Sequence, residues 1–245
     1  GLGFTRVYLG DYRTGLSYDS KGHVAGIEPQ FLEYIDGLAE VANRHGVTVM
    51  LSLMDNTVLD GKGVEFPQFI VDCEESDRFI SRVLAPIVER LKDRRVIWDL
   101  FNEPENVTGA ELSVVQNYVD RTIAVLRKED PDAKFTVVSR SASELVYWRG
   151  RGLDLLSHNV FDARGLKDAL DSPKSLKLDA PLMVAEMDPT LATLSNLKAL
   201  RLAGYRGVGI WGWATDDKYD WGSDELIRVV SPLIDSTGKE GFCAK

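Results

Sequence analysis

Two short apolar runs in this 245-residue chain each end on a carboxylate. The first is Arg95-Val96-Ile97-Trp98-Asp99-Leu100-Phe101-Asn102-Glu103-Pro104, and the second is Pro181-Leu182-Met183-Val184-Ala185-Glu186-Met187. The first run is rich in β-branched and aromatic residues and too short for a helix, which predicts a buried strand. Pro104 cannot continue a central strand, so Asn102 and Glu103 are presented at the strand's C-terminal end, where parallel α/β proteins place their chemistry. Glu186 closes its own strand in the same way. Glutamates this far apart in sequence converge only if the two strands share a sheet. Two facing carboxyls are the minimum equipment for cleaving a glycosidic bond: one protonates the leaving oxygen, and the other attacks the anomeric carbon or activates water.

The elements that must position these groups alternate along the chain. Strands are predicted at Phe4 to Leu9, Val47 to Met54, the Glu103 run, Phe135 to Ser139, within Leu153 to Phe161, the Glu186 run, and Gly207 to Trp213. Apolar residues at helical spacing predict helices at Phe31 to Arg44, Glu75 to Asp93, Ala110 to Lys128, Leu191 to Ala203 and Asp224 to Ile234. Shorter helices are expected near Ala142 to Trp148 and Leu166 to Leu170, a kink at Pro86, and a polar loop from Gly10 to about Glu28. An unbroken β, α, β, α order demands a parallel sheet with right-handed crossovers. An open doubly wound sheet needs a Gly-rich phosphate turn after an early strand, and none is present. Gly204, Gly207 and Gly209 precede a strand instead of opening a helix, so they form no nucleotide fingerprint. With no linker or repeat in view, residues 1–245 read as a single domain.

Composition narrows the partners. Lys and Arg number 29 against 38 Asp and Glu, a net charge of −9, and no basic cluster offers a nucleic-acid surface. No apolar run approaches the roughly 20 residues that span a bilayer. The chain opens in what reads as structure, with no signal peptide in the sequence given. The spacing of Cys73 and Cys243 leaves open whether they pair or stay reduced. Three histidines without a strand-end HxH pair argue against a metal hydrolase, and no Lys at a strand's C-terminal end suggests a Schiff-base enzyme. Asp216, Asp217, Asp220 and Asp224 read as a solvated loop and helix start, unpatterned against any calcium loop. No metal or cofactor is expected.

With both glutamates placed, the chain resembles the clan of retaining glycoside hydrolases built on (β/α)8 barrels, family 5 (the cellulase and mannanase group) above all. In that clan the acid/base Glu follows an Asn at the end of strand four and the nucleophile Glu ends strand seven, features that Asn102-Glu103-Pro104 and Glu186 match. The resemblance implies a strand-two Arg beside the nucleophile at Arg6, a strand-six His contacting substrate at His158, and a sugar-stacking Trp at Trp211. Three departures stand out. Only two strands precede the Glu103 strand, so the standard first strand and helix are expected to be missing. Asp55 and Asn56 stand where cellulases often carry a His. The Tyr usual two residues after the strand-six His is absent: Asn159, Val160 and Phe161 follow His158, and Phe161 is expected to stand in by a one-residue shift, without a hydroxyl.

The resemblance implies a (β/α)8 barrel that cleaves β-1,4-glucan or β-mannan by double displacement, acting as a secreted monomer on oligo- or polysaccharide. Glu186 is then the nucleophile, held ionised by Arg6, Glu103 the acid/base, and Asn102 a partner of the sugar 2-hydroxyl. A non-catalytic carbohydrate-binding protein on a degraded barrel is the alternative. Asp99, inside an apolar strand, reads as a structural carboxylate hydrogen-bonded in the barrel. His158 reads equally well as a neutral core histidine.

Overall fold

The structure is a computed structural model and describes residues 3–9, 15–55, 68–107, 110–178 and 180–210. Strand β1 (Phe4–Tyr8) leads to a two-stranded hairpin, β2 (Leu16–Tyr18) and β3 (Val24–Ile27), and then to helix α1 (Pro29–Arg44). Strand β4 (Thr48–Ser52) is followed by α2 (Gln68–Val71), α3 (Cys73–Phe79) and α4 (Ala85–Leu91). Then come β5 (Val96–Asn102), α5 (Leu112–Glu129), β6 (Lys134–Ser139), β7 (Leu156–Val160), α6 (Ala163–Leu176), β8 (Leu182–Met187), α7 (Leu194–Leu202) and β9 (Tyr205–Ile210). Among the described residues, seven strands form one parallel sheet in the order β1-β4-β5-β6-β7-β8-β9. Each new strand pairs with the one before it, and the sheet curls until β9 meets β1. This is the (β/α)8 barrel architecture read from the sequence, with two barrel strands ahead of the one that carries Glu103.

Strand alternation sorts the core into two parts. Met50, Val138, Leu155, Met183 and Ala185, with Phe4 and Ile97 against them, fill the barrel interior. A larger cluster lies between sheet and helices, with Trp98, Leu100, Phe101 and Phe79 among its buried members. The seam between β9 and β1 is filled by Phe4, whose ring lies against Gly207 and Gly209. A Cβ on Gly209 would sit 2.3 Å from the carbonyl oxygen of Ala185, so only glycine lets β9 approach β8 here.

Two sequence expectations change form. The long helix expected from Glu75 to Asp93 is α3 and α4 joined by a π turn over Ile80–Leu84. Pro86 has no N–H for the carbonyl four residues back, and its ring would press on that turn. The chain widens there, with the Ala85 N–H donating five residues back to Ile80. The loop expected up to Glu28 contains the β2–β3 hairpin, whose strands of three and four residues carry too little alternation to be seen. Helix α6 is also longer than expected, with Pro173 in its last turns and Lys177 capping it in left-handed backbone geometry.

The most consequential irregularities lie in the two strands that bear the glutamates. Asp99 pairs with Thr136 and Asn102 with Val138, so β5 carries one residue more than β6 over that interval. Strand β8 likewise carries an extra residue between Val184 and Glu186: His158 pairs with Val184, yet Asn159 pairs with Glu186. These are β-bulges, which re-aim the side chains that follow them. Met183 and Ala185 face the barrel interior. Strict alternation would therefore turn Glu186 outward, beside Val184, and the bulge returns it to the inside.

Candidate active site

At the C-terminal end of the barrel the apolar interior gives way to a polar layer centred on Arg6. Its guanidinium ion-pairs with both Asp99 and Glu186, and it donates to Ser52 Oγ at 3.1 Å and to Asn102 Oδ1 at 2.9 Å. The Arg6 side chain is only 6% exposed, so these contacts stand in for its hydration. Burial pulls the Arg6 pKa down, but Asp99, Tyr8 and Glu186 outweigh it and hold the group cationic. Asp99 is fully buried and also accepts from Ser52, the structural role that its place in an apolar strand suggests. Asn102 passes the network on, donating to Asp55 Oδ2 at 2.7 Å.

Glu186 is 5% exposed and accepts from Arg6 and from the hydroxyl of Tyr8 on one carboxylate oxygen. Tyr8 lies two residues after Arg6 on the same strand face, and the guanidinium carbon sits 4.6 Å from its ring centre. Burial pushes the Glu186 carboxyl up to about 7, against the pull of Arg6 and the Tyr8 hydroxyl, while the nearby Glu103 and Asp99 push the same way. Arg6 was expected to hold Glu186 ionised. It lowers the pKa as expected, yet one guanidinium shared between two buried carboxylates does not offset the desolvation, so the carboxyl stays above its ordinary range.

Glu103 is the half-buried member of the pair and sits in left-handed backbone geometry, φ 48° and ψ 51°. A non-glycine residue in that region, followed directly by proline, is the kind of local strain that functional sites store. Its N–H is anchored to the Val138 carbonyl at 2.6 Å. The carboxylate accepts from Asn159 Nδ2 at 2.8 Å on one oxygen and from Asn106 Nδ2 at 2.7 Å on the other. The next acidic residue, Glu105, is bound by Trp148 Nε1 at 2.6 Å and Ser139 Oγ at 2.9 Å, which locks the turn Pro104–Asn106 against the end of β6.

Of the residues singled out in the sequence, the structure brings Arg6, Asn102, Glu103 and Glu186 to one mouth of the barrel. His158 needs correction as a substrate contact. It is fully buried on the helix-facing side of β7, with Nδ1 at 3.0 Å from the Asn159 carbonyl and Nε2 at 2.7 Å from the Tyr205 hydroxyl, which itself donates to the Ala169 carbonyl of α6. Burial pushes its pKa down to about 4, so it stays neutral. The β7 residue facing the site is its neighbour Asn159. Phe161 lies beyond the strand, 42% exposed. Trp211, Cys243 and the acidic residues from Asp216 to Asp224 lie outside the described residues. Tyr8 and Asn159 are missing from the sequence reading; strand alternation from Arg6 is the signal that points to Tyr8.

Fold and site together define a parallel (β/α) barrel with a two-carboxyl centre at its C-terminal mouth. The family model for cellulase, glycosyl hydrolase family 5, matches residues 6–183, and the chain belongs to that family. The match stops short of Glu186. Over 90 residues the chain is 26% identical to a mannan endo-1,4-beta-mannosidase of Mytilus edulis, a match that spans 36% of this chain and only 24% of the relative. Among solved structures, the β-1,4-D-mannanase of Cryptopygus antarcticus superposes with a TM-score of 0.79 at 16% identity, covering 94% of this chain and 79% of that one. The β-mannanase of Mytilus edulis gives 0.77 at 17% identity, covering 94% and 80%. At such identities the superpositions speak for the fold.

Proposed function

We propose that this chain is a retaining glycoside hydrolase that cleaves β-1,4-linked mannan by double displacement, working as a secreted monomer with residues 1–245 as its catalytic domain. The observation that carries the reading is the position of Asn159. It pairs in register with Glu186 and hydrogen-bonds Glu103, so both carboxyls face the same interior space. The mannanase names of the relatives favour β-mannan over β-1,4-glucan.

In this mechanism Glu186 attacks the anomeric carbon as its carboxylate, while Glu103 gives its proton to the glycosidic oxygen. The bond to the leaving sugar breaks with its electron pair on that oxygen. Glu103, now a carboxylate, takes a proton from water, and the resulting hydroxide displaces Glu186 from the sugar. Arg6 and Tyr8 offset the charge on Glu186 when it departs. One Asn102 amide N–H binds Asp55, and the second is assigned to the sugar 2-hydroxyl.

Azide distinguishes the two roles. The Glu186→Ala variant is expected to lose at least about 10⁴-fold in turnover on β-mannan. With azide and an activated aryl β-mannoside it should release the α-mannosyl azide. The Glu103→Ala variant should instead release the β-azide, formed from the glycosyl-enzyme. Unchanged mannan turnover in Glu186→Ala, or the opposite azide anomers, overturns the assignment. Wild-type protein that binds mannan without releasing reducing ends establishes the carbohydrate-binding alternative.

A further inference from the structure

We propose that Asn159 is a positioning residue that fixes the spacing of the two glutamates by aiming Glu103. The proposal rests on Glu103 being the acid/base. The side chain of Glu103 projects from a strained residue just past the end of β5 and is half-buried, so its strand does little to fix its direction. Two amides hold it. Asn106 belongs to the same short turn as Glu103 and moves with it. Asn159 comes from β7, where it pairs with Glu186 across the β7–β8 ladder. The contact from Asn159 Nδ2 to Glu103 Oε1, 2.8 Å long, therefore ties the acid/base directly to the strand pair that carries the partner carboxyl.

The other end of the same amide shows what it is there for. Asn159 is 2% exposed, and its Oδ1 is buried without a hydrogen-bond partner. A buried carbonyl left unpaired destabilises a fold, and an apolar side chain of the same size removes that penalty. Packing alone selects against an asparagine here; its N–H toward Glu103 is what the arrangement keeps. That N–H is a neutral donor, so it engages the carboxylate without exchanging a proton. As Glu103 gives its proton to the glycosidic oxygen and the C–O bond breaks, the carboxylate left behind is received by the two amide N–H groups already in place. Asn159 takes no proton and forms no bond to the sugar.

The test is leaving-group dependence in Asn159→Leu, which matches the side chain in size and lacks the donor. On a β-1,4-mannooligosaccharide, whose departing oxygen needs a proton, kcat/KM is expected to fall about 100-fold, mostly in kcat, the low end of what general-acid catalysis contributes. On a 2,4-dinitrophenyl β-mannoside, whose leaving group needs none, kcat/KM should stay within about threefold, because that ratio reports the first chemical step alone. The melting temperature should hold or rise. Equal losses on the two substrates, or no loss on either, overturn the proposal. If the Leu variant fails to fold, Asn159→Asp, equal in shape and without the amide donor, is read by the same ratio. Glu103→Ala is measured in parallel. If that variant shows no leaving-group dependence, the acid/base reading of Glu103 has failed, which is a different result from a flat response in Asn159→Leu alone.

Discussion

The two glutamates sit at the same barrel mouth in contrasting company. Glu186 is deeply buried and faces a cation and a phenol, both from β1. Glu103 is half-buried and faces two neutral amides. In the proposed double displacement Glu186 attacks as a carboxylate and departs as one, and fixed opposite charge beside it serves both steps. A group that must gain and lose a proton in every cycle is better served by neutral donors, which direct it without committing it to one charge state. The asymmetry is thus written in the neighbours, since the two side chains are identical.

The contrast breaks most severely if Arg6 is removed. Arg6→Met leaves Asp99 fully buried without the guanidinium that pairs it, and the loss should be about 3–5 kcal/mol of folding stability, measurable by urea denaturation. A stability change below about 1 kcal/mol would mean that the buried cluster is not held by this cation.

A gain of stability is expected from Glu186→Gln, with a defined pH course. The carboxyl is raised from 4.5 to about 7 in the folded protein, so the folded state binds its proton more tightly than the unfolded chain does. Wild-type stability from this group is complete below pH 4.5 and is lost as pH rises toward 7. The Gln variant escapes that loss. It should match wild type at pH 4 and exceed it above pH 7 by an amount on the order of 1–3 kcal/mol, read from melting temperatures across pH. A gap that does not widen with pH would show that burial does not raise this group.

The smallest effect sharpens the comparison. Tyr8→Phe removes a hydroxyl that lowers the Glu186 pKa. The acid limb of the kcat/KM profile, expected near pH 7 in the wild type, should move upward by about half a unit to one unit, equivalent to a hydrogen bond of about 1 kcal/mol. A limb that stays in place would assign it to another group.

Much of this arrangement was legible before any coordinates. The Asn-Glu-Pro sequence placed Asn102 and Glu103 because a proline ending an apolar run marks the strand's end unambiguously. The same reading put Glu186 at the end of its own apolar run and Asp99 inside a strand, whereas Arg6 came from the family resemblance alone. The bulges were not legible: an extra residue in β5 or β8 is defined only against a neighbouring strand, and sequence alternation alone sends Glu186 to the wrong face. The same parity problem hid Asn159. The family resemblance points to His158 as the strand-six His, yet it occupies the outward register and serves the packing of α6 through Tyr205.

Arg6 also has a consequence in time. Its partners Ser52, Asp99, Asn102 and Glu186 lie 46, 93, 96 and 180 residues away along the chain. Contacts that close such long stretches of chain form late in folding, after local helices and adjacent strand pairs are in place. Helical signal in a refolding experiment should therefore recover well before glycosidase activity. The last event to restore turnover should be the closure of the barrel that brings Arg6 on β1, already paired with β4, against Glu186 on β8.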